Sequence, residues 1–143
     1  MNLTIRPVEN AHVQQVWPLA KQFIADALNK GEDFPEETKN YNINHVEAFL
    51  AANQWMLLVA VDEQMQVHGA ATVSFISYPL HRVAFITAIG GKLISSQDTF
   101  EQLKRLLKTY GATKIQGFGR ESIVRLWKRY DFEPRHTLVE VLI

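Results

Sequence analysis

The sequence predicts a single domain of the mixed α/β class, with a central run of antiparallel strands set between helices. Three apolar stretches of strand length, residues 55–61, 67–78 and 83–89, follow one another with only short turns between them. Stretches in which apolar residues recur at helical spacing precede and follow this run. A length of 143 residues and a hydrophobic content of 47% are enough for one core. We therefore expect one domain, residues 1–143, with the element order β-α-α-β-β-β-α-β-α-β.

The chain is expected to open with a strand and a long helix. Residues 3–6 have strand character, and Pro7 limits that strand. Pro18 lies inside the helical pattern that follows; it lacks an amide donor and crowds the preceding turn, so it predicts a kink or a split helix. Gly31 ends the pattern. The apolar stripe of this helix consists of Val13, Val16, Trp17, Ala20, Phe23, Ile24 and Leu28.

An acidic loop and a short helix are expected before the central strands. The loop covers residues 31–37, and Asn44 with Glu47 three residues later has the spacing of a capping box. The run 55–61 is almost continuously apolar, as is typical of a strand buried on both faces.

The C-terminal third predicts a helix, a short strand, a second helix and a last strand. The first helix carries an apolar stripe that Gly111 ends, and residues 114–116 form the short strand before the break at 117–119. The second helix ends near residues 131–134, and the apolar stretch 138–143 predicts the last strand. This strand either stays in its own sheet or pairs with another subunit, and a long apolar edge would favour a homodimer. The stripes of the two helices consist of Phe100, Leu103, Leu106, Leu107 and Tyr110, and of Ile123, Leu126, Trp127 and Tyr130.

Composition excludes several classes of function. The chain has no cysteine, which rules out disulfides and thiolate chemistry, and its five histidines lack metal-ligand spacing, so we expect no metal site. No run of eighteen apolar residues predicts a membrane span, and the N-terminus lacks the pattern of a secretory signal, so we expect a cytoplasmic protein.

Zero net charge hides a polarity along the chain. Residues 1–71 carry four basic and nine acidic side chains, whereas residues 72–143 carry eleven basic and six acidic ones. An acidic front and a basic back would suit a cationic substrate and a phosphorylated cofactor. The alternative is that solvated helix faces differ in charge by chance.

The element order and two short motifs resemble the GNAT superfamily of N-acyltransferases over essentially the whole chain. Residues 3–7, Leu-Thr-Ile-Arg-Pro, resemble the family's opening strand, and Phe-Glu-Pro at 132–134 resembles its signature after the last helix. Ala-Ile-Gly-Gly at 88–91 is similar to divergent GNAT-like proteins of bacteriophages. The resemblance implies acetyl-CoA as cofactor, a small-molecule or protein amine as acceptor, and a location in the host cytoplasm or the virion.

The resemblance also implies a cofactor site after the fourth strand. There the family has a glycine-rich loop whose backbone amides bind the pyrophosphate, but residues 91–96 here read Gly-Lys-Leu-Ile-Ser-Ser. Side chains at Leu93 and Ile94 would hinder close backbone approach to phosphate. Gly90 and Gly91 could serve in a displaced loop, or they simply break the strand while Ser95 and Asp98 form a capping box. The residues expected at this site are Ala88, Ile89, Gly90, Gly91, Ser95 and Ser96.

The acid and base that the family uses are changed in this sequence. Trp127 stands where the resemblance implies a tyrosine acid; tryptophan could pack against the cofactor but has no proton to give. Tyr130 is the candidate substitute, with a core tyrosine as the alternative reading. Arg120 stands at the position of a family asparagine and could bind phosphate. Glu32 and Asp33, with the neighbouring Glu36 and Glu37, are candidates for the base by location, or a solvated acidic loop.

The sequence therefore favours a GNAT-like N-acyltransferase that moves an acetyl or acyl group from acyl-CoA to an amine. The alternative is a catalytically inactive GNAT-fold protein that acts by protein–protein interaction, such as a phage accessory or virion-associated protein. A nucleic-acid binder is least favoured, because no aromatic stacking motif interleaves its basic residues. Those residues are Lys104, Arg105, Lys108, Arg125, Lys128 and Arg129.

Overall fold

A computed structural model of the chain describes residues 1–29, 39–119 and 121–143. Its strands are β1 (Thr4–Val8), β2 (Met56–Val61), β3 (Val67–Ser77), β4 (Arg82–Gly91) and β5 (Lys114–Gly117). Its α-helices are α1 (Val13–Asn29), α2 (Ile43–Ala51), α3 (Gln97–Thr109) and α4 (Glu121–Trp127). Short 3-10 turns at Asn10–His12 and Lys128–Tyr130 precede α1 and follow α4.

The five strands form one sheet in the order β1-β2-β3-β4-β5. The first four pair antiparallel in sequence, and β5 joins β4 in parallel. A parallel pair needs a crossover, and α3 supplies it. The sheet is therefore mixed, and the predicted fold class is confirmed.

The sheet separates two apolar cores because β2 is buried on both faces. Leu57, Val59 and Val61 pack with Trp17 and Ile24 of α1 in the first core. The alternate residues Leu58 and Ala60 pack with Leu103 and Leu107 of α3 in the second core. Side chains alternate across a strand, so a continuously apolar run fills both sides at once.

The apolar pattern of the sequence also predicts ten core residues, and all of them are buried or half-buried. Buried members of this set are Trp17, Leu57, Val59, Leu103, Leu107 and Trp127. Its half-buried members are Phe49, Phe75, Phe85 and Ile115. Apolar periodicity therefore identified these inward-facing residues correctly, whereas Tyr110 and Leu126 of the predicted helix stripes are 42% and 39% exposed.

Two helices begin with capping boxes that differ from the predicted ones. The cap of α2 is Asn42, whose side chain accepts from the amides of Asn44 and His45 while its own amide donates to His45 Nδ1, so the Asn44–Glu47 box was wrong. A histidine can close this box because its ring nitrogen accepts as a glutamate oxygen would.

The cap of α3 is Ser96, and its partner in the capping box is Thr99. Ser96 Oγ accepts from the Thr99 amide at 3.1 Å, and Thr99 Oγ1 accepts from the Ser96 amide at 3.1 Å. The predicted Ser95–Asp98 box was therefore wrong. Thr99 is 2% exposed, so its hydroxyl faces inward where it meets the Ser95 and Ser96 amides, whereas Asp98 is exposed.

Two further expectations about single elements were not met. Pro18 was predicted to kink or split α1, and the split is wrong, because α1 is continuous from Val13 to Asn29. The last predicted strand, residues 138–143, is not formed. Among the described residues no strand follows β5, and residues 138–143 are exposed. Sequence pattern gave this segment strand character, but a strand also needs a neighbouring strand to bond with.

No helix in the described parts of the chain combines the length and apolar character needed to cross a bilayer. Within the same parts, no group of three histidine or acidic side chains comes together in a way that could hold a metal ion.

Candidate functional site

The most distinctive feature of the sheet is the point where β4 and β5 part. The two strands pair only from Val83–Lys114 to Ile86–Gly117. Strand β4 continues to Gly91, so among the described residues its last five, 87–91, have no strand partner on the β5 side. This stretch offers backbone donors and acceptors along one open edge, at the carboxyl end of a parallel strand pair, where ligands of open α/β sheets bind.

A β-bulge begins this open stretch. Thr72 of β3 is opposite Ala88 and Val73 is opposite Ile86, which leaves Thr87 as the extra residue on β4. The Thr87 hydroxyl bonds back to Thr72, with an oxygen–oxygen distance of 2.7 Å to Oγ1 and 3.0 Å to the carbonyl oxygen. Bulges bend and twist a strand and are common beside active sites. Here the bulge coincides with the end of β4–β5 pairing.

Tyr41 ties the segment before α2 to this bulge. Its hydroxyl donates to the Thr87 carbonyl oxygen at 2.7 Å, and its ring packs edge-on against Trp55 at a centroid distance of 5.1 Å. Burial raises the pKa of Tyr41 above its ordinary value of 10.0. The hydroxyl therefore keeps its proton and remains a donor at neutral pH. No sequence pattern pointed to Tyr41, since a tyrosine in a polar stretch carries no signal of its hydrogen-bond partner.

Gly90 and Gly91 are explained by close packing. A Cβ on Gly90 would lie 2.3 Å from the backbone oxygen of Phe23 in α1. A Cβ on Gly91 would lie 2.5 Å from the carbonyl oxygen of His68, and its φ of +64° is a value that favours glycine. These glycines let α1 and β3 approach the end of β4.

The loop from β4 to α3 is fixed by one inward-facing side chain. Leu93 is fully buried in the second core, so it does not project from the loop and hinder an approaching phosphate, as the sequence had suggested. Ile94 is half-buried, while Lys92, Ser95 and Ser96 are exposed. The amides of the first helical residues, Gln97 and Asp98, cannot bond within α3 and face its N-terminal end.

An aromatic cluster (Phe100, Trp127, Tyr130 and Phe132) joins α3 to the end of α4. The Tyr130 ring lies 5.0 Å from that of Phe100, and Phe132 lies 5.5 Å from Phe100 and 5.0 Å from Trp127. Trp127 is 8% exposed and would contact a Cβ on Gly117, the last residue paired with β4. The cluster therefore packs where β4 and β5 part, and it contains both the replaced acid and its candidate substitute.

The structure brings together only part of the predicted site. Ala88, Ile89, Gly90 and Gly91 lie on the open edge of β4, and Ser95 and Ser96 lie at the start of α3. Glu32, Asp33, Glu36, Glu37 and Arg120 lie outside the described residues. Thr72, Thr87 and Tyr41 were missed, because the bulge that makes them neighbours depends on strand register.

No protein-family model and no curated protein matches the chain. Several solved structures, however, are similar to the chain. An aminoglycoside acetyltransferase from an uncultured soil metagenomic sample has a TM-score of 0.67 at 14% identity, covering 100% of this chain and 99% of that one. A predicted acetyltransferase from Clostridium acetobutylicum, crystallised with acetyl-CoA, has a TM-score of 0.60 at 18% identity, covering 99% and 96%.

A structure described as a transcriptional regulator from Bacillus halodurans C-125 is similar to the same degree, with a TM-score of 0.63 at 18% identity over 99% of this chain and 100% of that one. Structural similarity at this level of sequence identity shows a shared fold, and the activity has to be argued from the residues of the site. The chain has the fold of the GNAT-type acetyltransferases.

Proposed function

We propose that this protein is an acyl-CoA-dependent N-acyltransferase that moves an acetyl group from acetyl-CoA to the amine of a small molecule or a protein. The observation that carries the proposal is the open edge of β4 beyond its pairing with β5. An open edge at this place can hold an extended ligand through backbone hydrogen bonds, as an added strand would be held.

The open edge fits the amide-bearing arm of acyl-CoA. That arm carries carbonyl and N–H groups at intervals along an extended chain, so it can bond to the backbone of residues 88–91, beyond the Thr87 carbonyl that accepts from Tyr41, without needing particular side chains. Gly90 and Gly91 pack closely against the backbone of Phe23 and His68. In this proposal they determine the path of the strand and do not contact phosphate.

The phosphate end of the cofactor has a less specialised place to bind. The amides of Gln97 and Asp98 and the exposed hydroxyls of Ser95 and Ser96 form an N-terminal end that favours anions. The Asp98 carboxylate in the same turn repels anions and so works against this preference. Arg120 and Lys92 are the proposed cations for this end. We expect weaker binding than a glycine-rich loop would provide.

The chemistry proposed for the site uses both backbone amides and side chains. Bound acetyl-CoA would supply an activated thioester. Backbone amides near Ile89 and Gly90 would polarise its carbonyl group, and Glu32 or Asp33 would take the proton of the attacking amine. Tyr130 would protonate the departing sulfur in place of the tyrosine that Trp127 replaces, with Trp127 packing beside the cofactor.

The test measures binding and turnover separately. Calorimetric titration with acetyl-CoA should give heat of binding, and CoA release with a panel of amines should show turnover. Tyr130→Phe should lower kcat about a hundredfold to ten-thousandfold while leaving acetyl-CoA affinity nearly unchanged, as expected for a lost general acid. Tyr110→Phe is the matched control, since Tyr110 is 42% exposed at the far end of α3. Absence of binding at millimolar acetyl-CoA would contradict the proposal.

A second candidate function is a catalytically inactive GNAT-fold protein that acts through contacts with other proteins. It is favoured by the replacement of the acid by Trp127, which is buried among aromatic rings, and by the exposed apolar residues after α4. This candidate predicts no acetyl-CoA binding and an undisturbed fold in Tyr130→Phe. A location in the host cytoplasm or in a virion belongs to the same proposal.

A further inference from the structure

Tyr41 lies at the inner end of the open edge of β4. Strand β4 pairs with β5 as far as Ile86, and the next carbonyl oxygen along the strand, that of Thr87, accepts from the Tyr41 hydroxyl at 2.7 Å. The side chain therefore takes the first acceptor beyond the paired part of the strand. An extended ligand on this edge can use that oxygen only by displacing Tyr41.

The register of β4 shows which backbone groups remain for a ligand. The Lys92 amide donates to the His68 carbonyl oxygen at 2.9 Å, and the register to β3 stays constant from there back past Ile89. Bonded and non-bonded pairs alternate in an antiparallel ladder, and Ile89 is three positions from this bond. Its N–H and C=O groups therefore point away from β3, toward the open edge, two residues from the oxygen that Tyr41 has taken.

The place of the phosphate end fixes the direction of the acyl-CoA arm. In the proposed function that end binds beside the exposed Ser95 and Ser96, at the start of α3, which follows β4 in the chain. An arm that runs back along β4 from this end would bring its thioester toward Ile89. The acyl group lies beyond the thioester, so it would reach Thr87 and Tyr41.

The Tyr41 ring is held from behind. It packs edge-on against Trp55 at a centroid distance of 5.1 Å, and Trp55 in turn lies 4.5 Å from the Phe49 ring of α2. Tyr41 and Trp55 both pack against the first core, where Val46 and Leu50 of α2 are 0% and 1% exposed. A core closed in this way leaves no space for the ring to move back.

We propose that Tyr41 limits the length of the acyl chain, so that the protein takes acetyl-CoA and excludes long-chain acyl-CoAs such as hexanoyl-CoA. A long chain would have to displace the ring from Trp55 and break its hydrogen bond, which would leave the Thr87 carbonyl oxygen without that donor. The inference rests on the proposed function and adds to it the class of acyl donor and the residue that selects it.

The experiment measures affinities by calorimetric titration with free CoA, acetyl-CoA and hexanoyl-CoA. The parent should bind acetyl-CoA more tightly than hexanoyl-CoA. In Tyr41→Ala the affinity for hexanoyl-CoA should rise relative to that for acetyl-CoA by about tenfold or more, because each further buried methylene is equivalent to about fourfold in affinity. Free CoA is the reference ligand, since a substitution that merely disturbs the site alters its affinity together with those of both thioesters.

Three further variants make the test specific to the ring. Tyr41→Phe keeps the ring and should keep the preference for acetyl-CoA, whereas Trp55→Leu removes the support behind the ring and should shift the preference in the direction of Tyr41→Ala. Trp55→Leu also provides a second measurement if Tyr41→Ala does not fold, which circular dichroism would show. Tyr110→Ala is the matched control, since Tyr110 is 42% exposed at the far end of α3, and it should leave the preference as in the parent.

The outcomes separate this inference from the proposed function. A parent chain that binds acetyl-CoA and hexanoyl-CoA equally well would overturn the role of Tyr41 and leave acyl transfer standing. The same holds for a Tyr41→Ala variant that weakens all three ligands alike, because Tyr41 would then only support the structure of the site. A parent chain that binds none of the three ligands would overturn both proposals.

Discussion

At the scale of single residues, Thr87 and its neighbours set the geometry of the candidate site. The extra residue at Thr87 lies where β4 loses its pairing with β5, and the Thr72 hydroxyl holds its side chain toward β3. The Tyr41 hydroxyl then donates a hydrogen bond to the Thr87 carbonyl oxygen. Because burial raises the pKa of Tyr41, the protonated donor is favoured in the folded state, and its stabilising effect is complete below pH 10 and declines only above it.

Gly90 is the residue at which one added methyl group should matter most. Gly90→Ala would place a Cβ 2.3 Å from the Phe23 backbone oxygen, and a backbone atom cannot turn aside as a side chain can. We expect a loss of about 1–3 kcal/mol in the free energy of unfolding, measured by urea denaturation, as for other overpacked sites.

Gly119→Ala is the control for this substitution, because its Cβ would meet only side-chain atoms of Ile123 and Val124 at 3.4 Å. Equal stability of Gly90→Ala and the parent chain would mean that α1 does not approach β4 as closely as described.

At the scale of elements, the turn between β2 and β3 is organised by one carboxylate. Asp62 Oδ1 accepts from the amides of Gln64 and Gln66 at 2.9 Å each, and its Oδ2 lies 2.8 Å from His68 Nε2. The hydrogen bond to His68, followed by the Gln66 amide, holds the pKa of Asp62 below its ordinary value of 3.8. The charged carboxylate thus joins the turn to the start of β3.

The pH dependence of this turn can be predicted from that lowered pKa. Asp62→Asn should be less stable than the parent at neutral pH, where the parent carboxylate is charged. The difference should be constant above about pH 4 and should shrink as the pH falls through the lowered pKa, because the parent carboxylate is then protonated too.

Thermal unfolding of both proteins between neutral pH and pH 2 measures this difference. Glu63→Gln removes an exposed charge from the same turn and serves as the control. A stability difference that does not change with pH would show that the charge on Asp62 is not what stabilises the turn.

At the scale of the whole molecule, one sheet supports two cores, so neither core should melt alone. Leu57 and Leu58 are adjacent in β2, are 1% and 0% exposed, and belong to different cores. Leu57→Ala and Leu58→Ala should therefore each cost about 2–5 kcal/mol, since each leaves a cavity in a closed core.

Urea unfolding followed by circular dichroism and by tryptophan fluorescence tests this expectation. Trp17 packs in the first core, and Trp127 packs against Phe132, which contacts Phe100 of α3, so coincident transitions would show that these two regions unfold together. Leu19→Ala, at an exposed position, should change stability by no more than about 0.5 kcal/mol. Two separate transitions would contradict a single cooperative unit.

The sequence by itself determined the class of the fold, the helices and the five strands that form. Periodicity was enough for this, because a side chain's direction from a helix or strand repeats every few residues, whatever the rest of the chain does. It also sufficed for the burial of Trp17, Leu57, Leu103 and Trp127. Caps were less predictable, because Asn42 and Ser96 stand next to other residues that could have capped equally well.

Only the tertiary structure decided what surrounds the open edge of β4. The bulge at Thr87, the bond from Tyr41 and the inward turn of Leu93 depend on register and on contacts between residues far apart in the chain. Residues 138–143 show the same dependence on tertiary structure. The pattern of this segment is that of a strand, yet it forms none, because a strand is stabilised by hydrogen bonds to a neighbour and one segment's pattern cannot supply that neighbour.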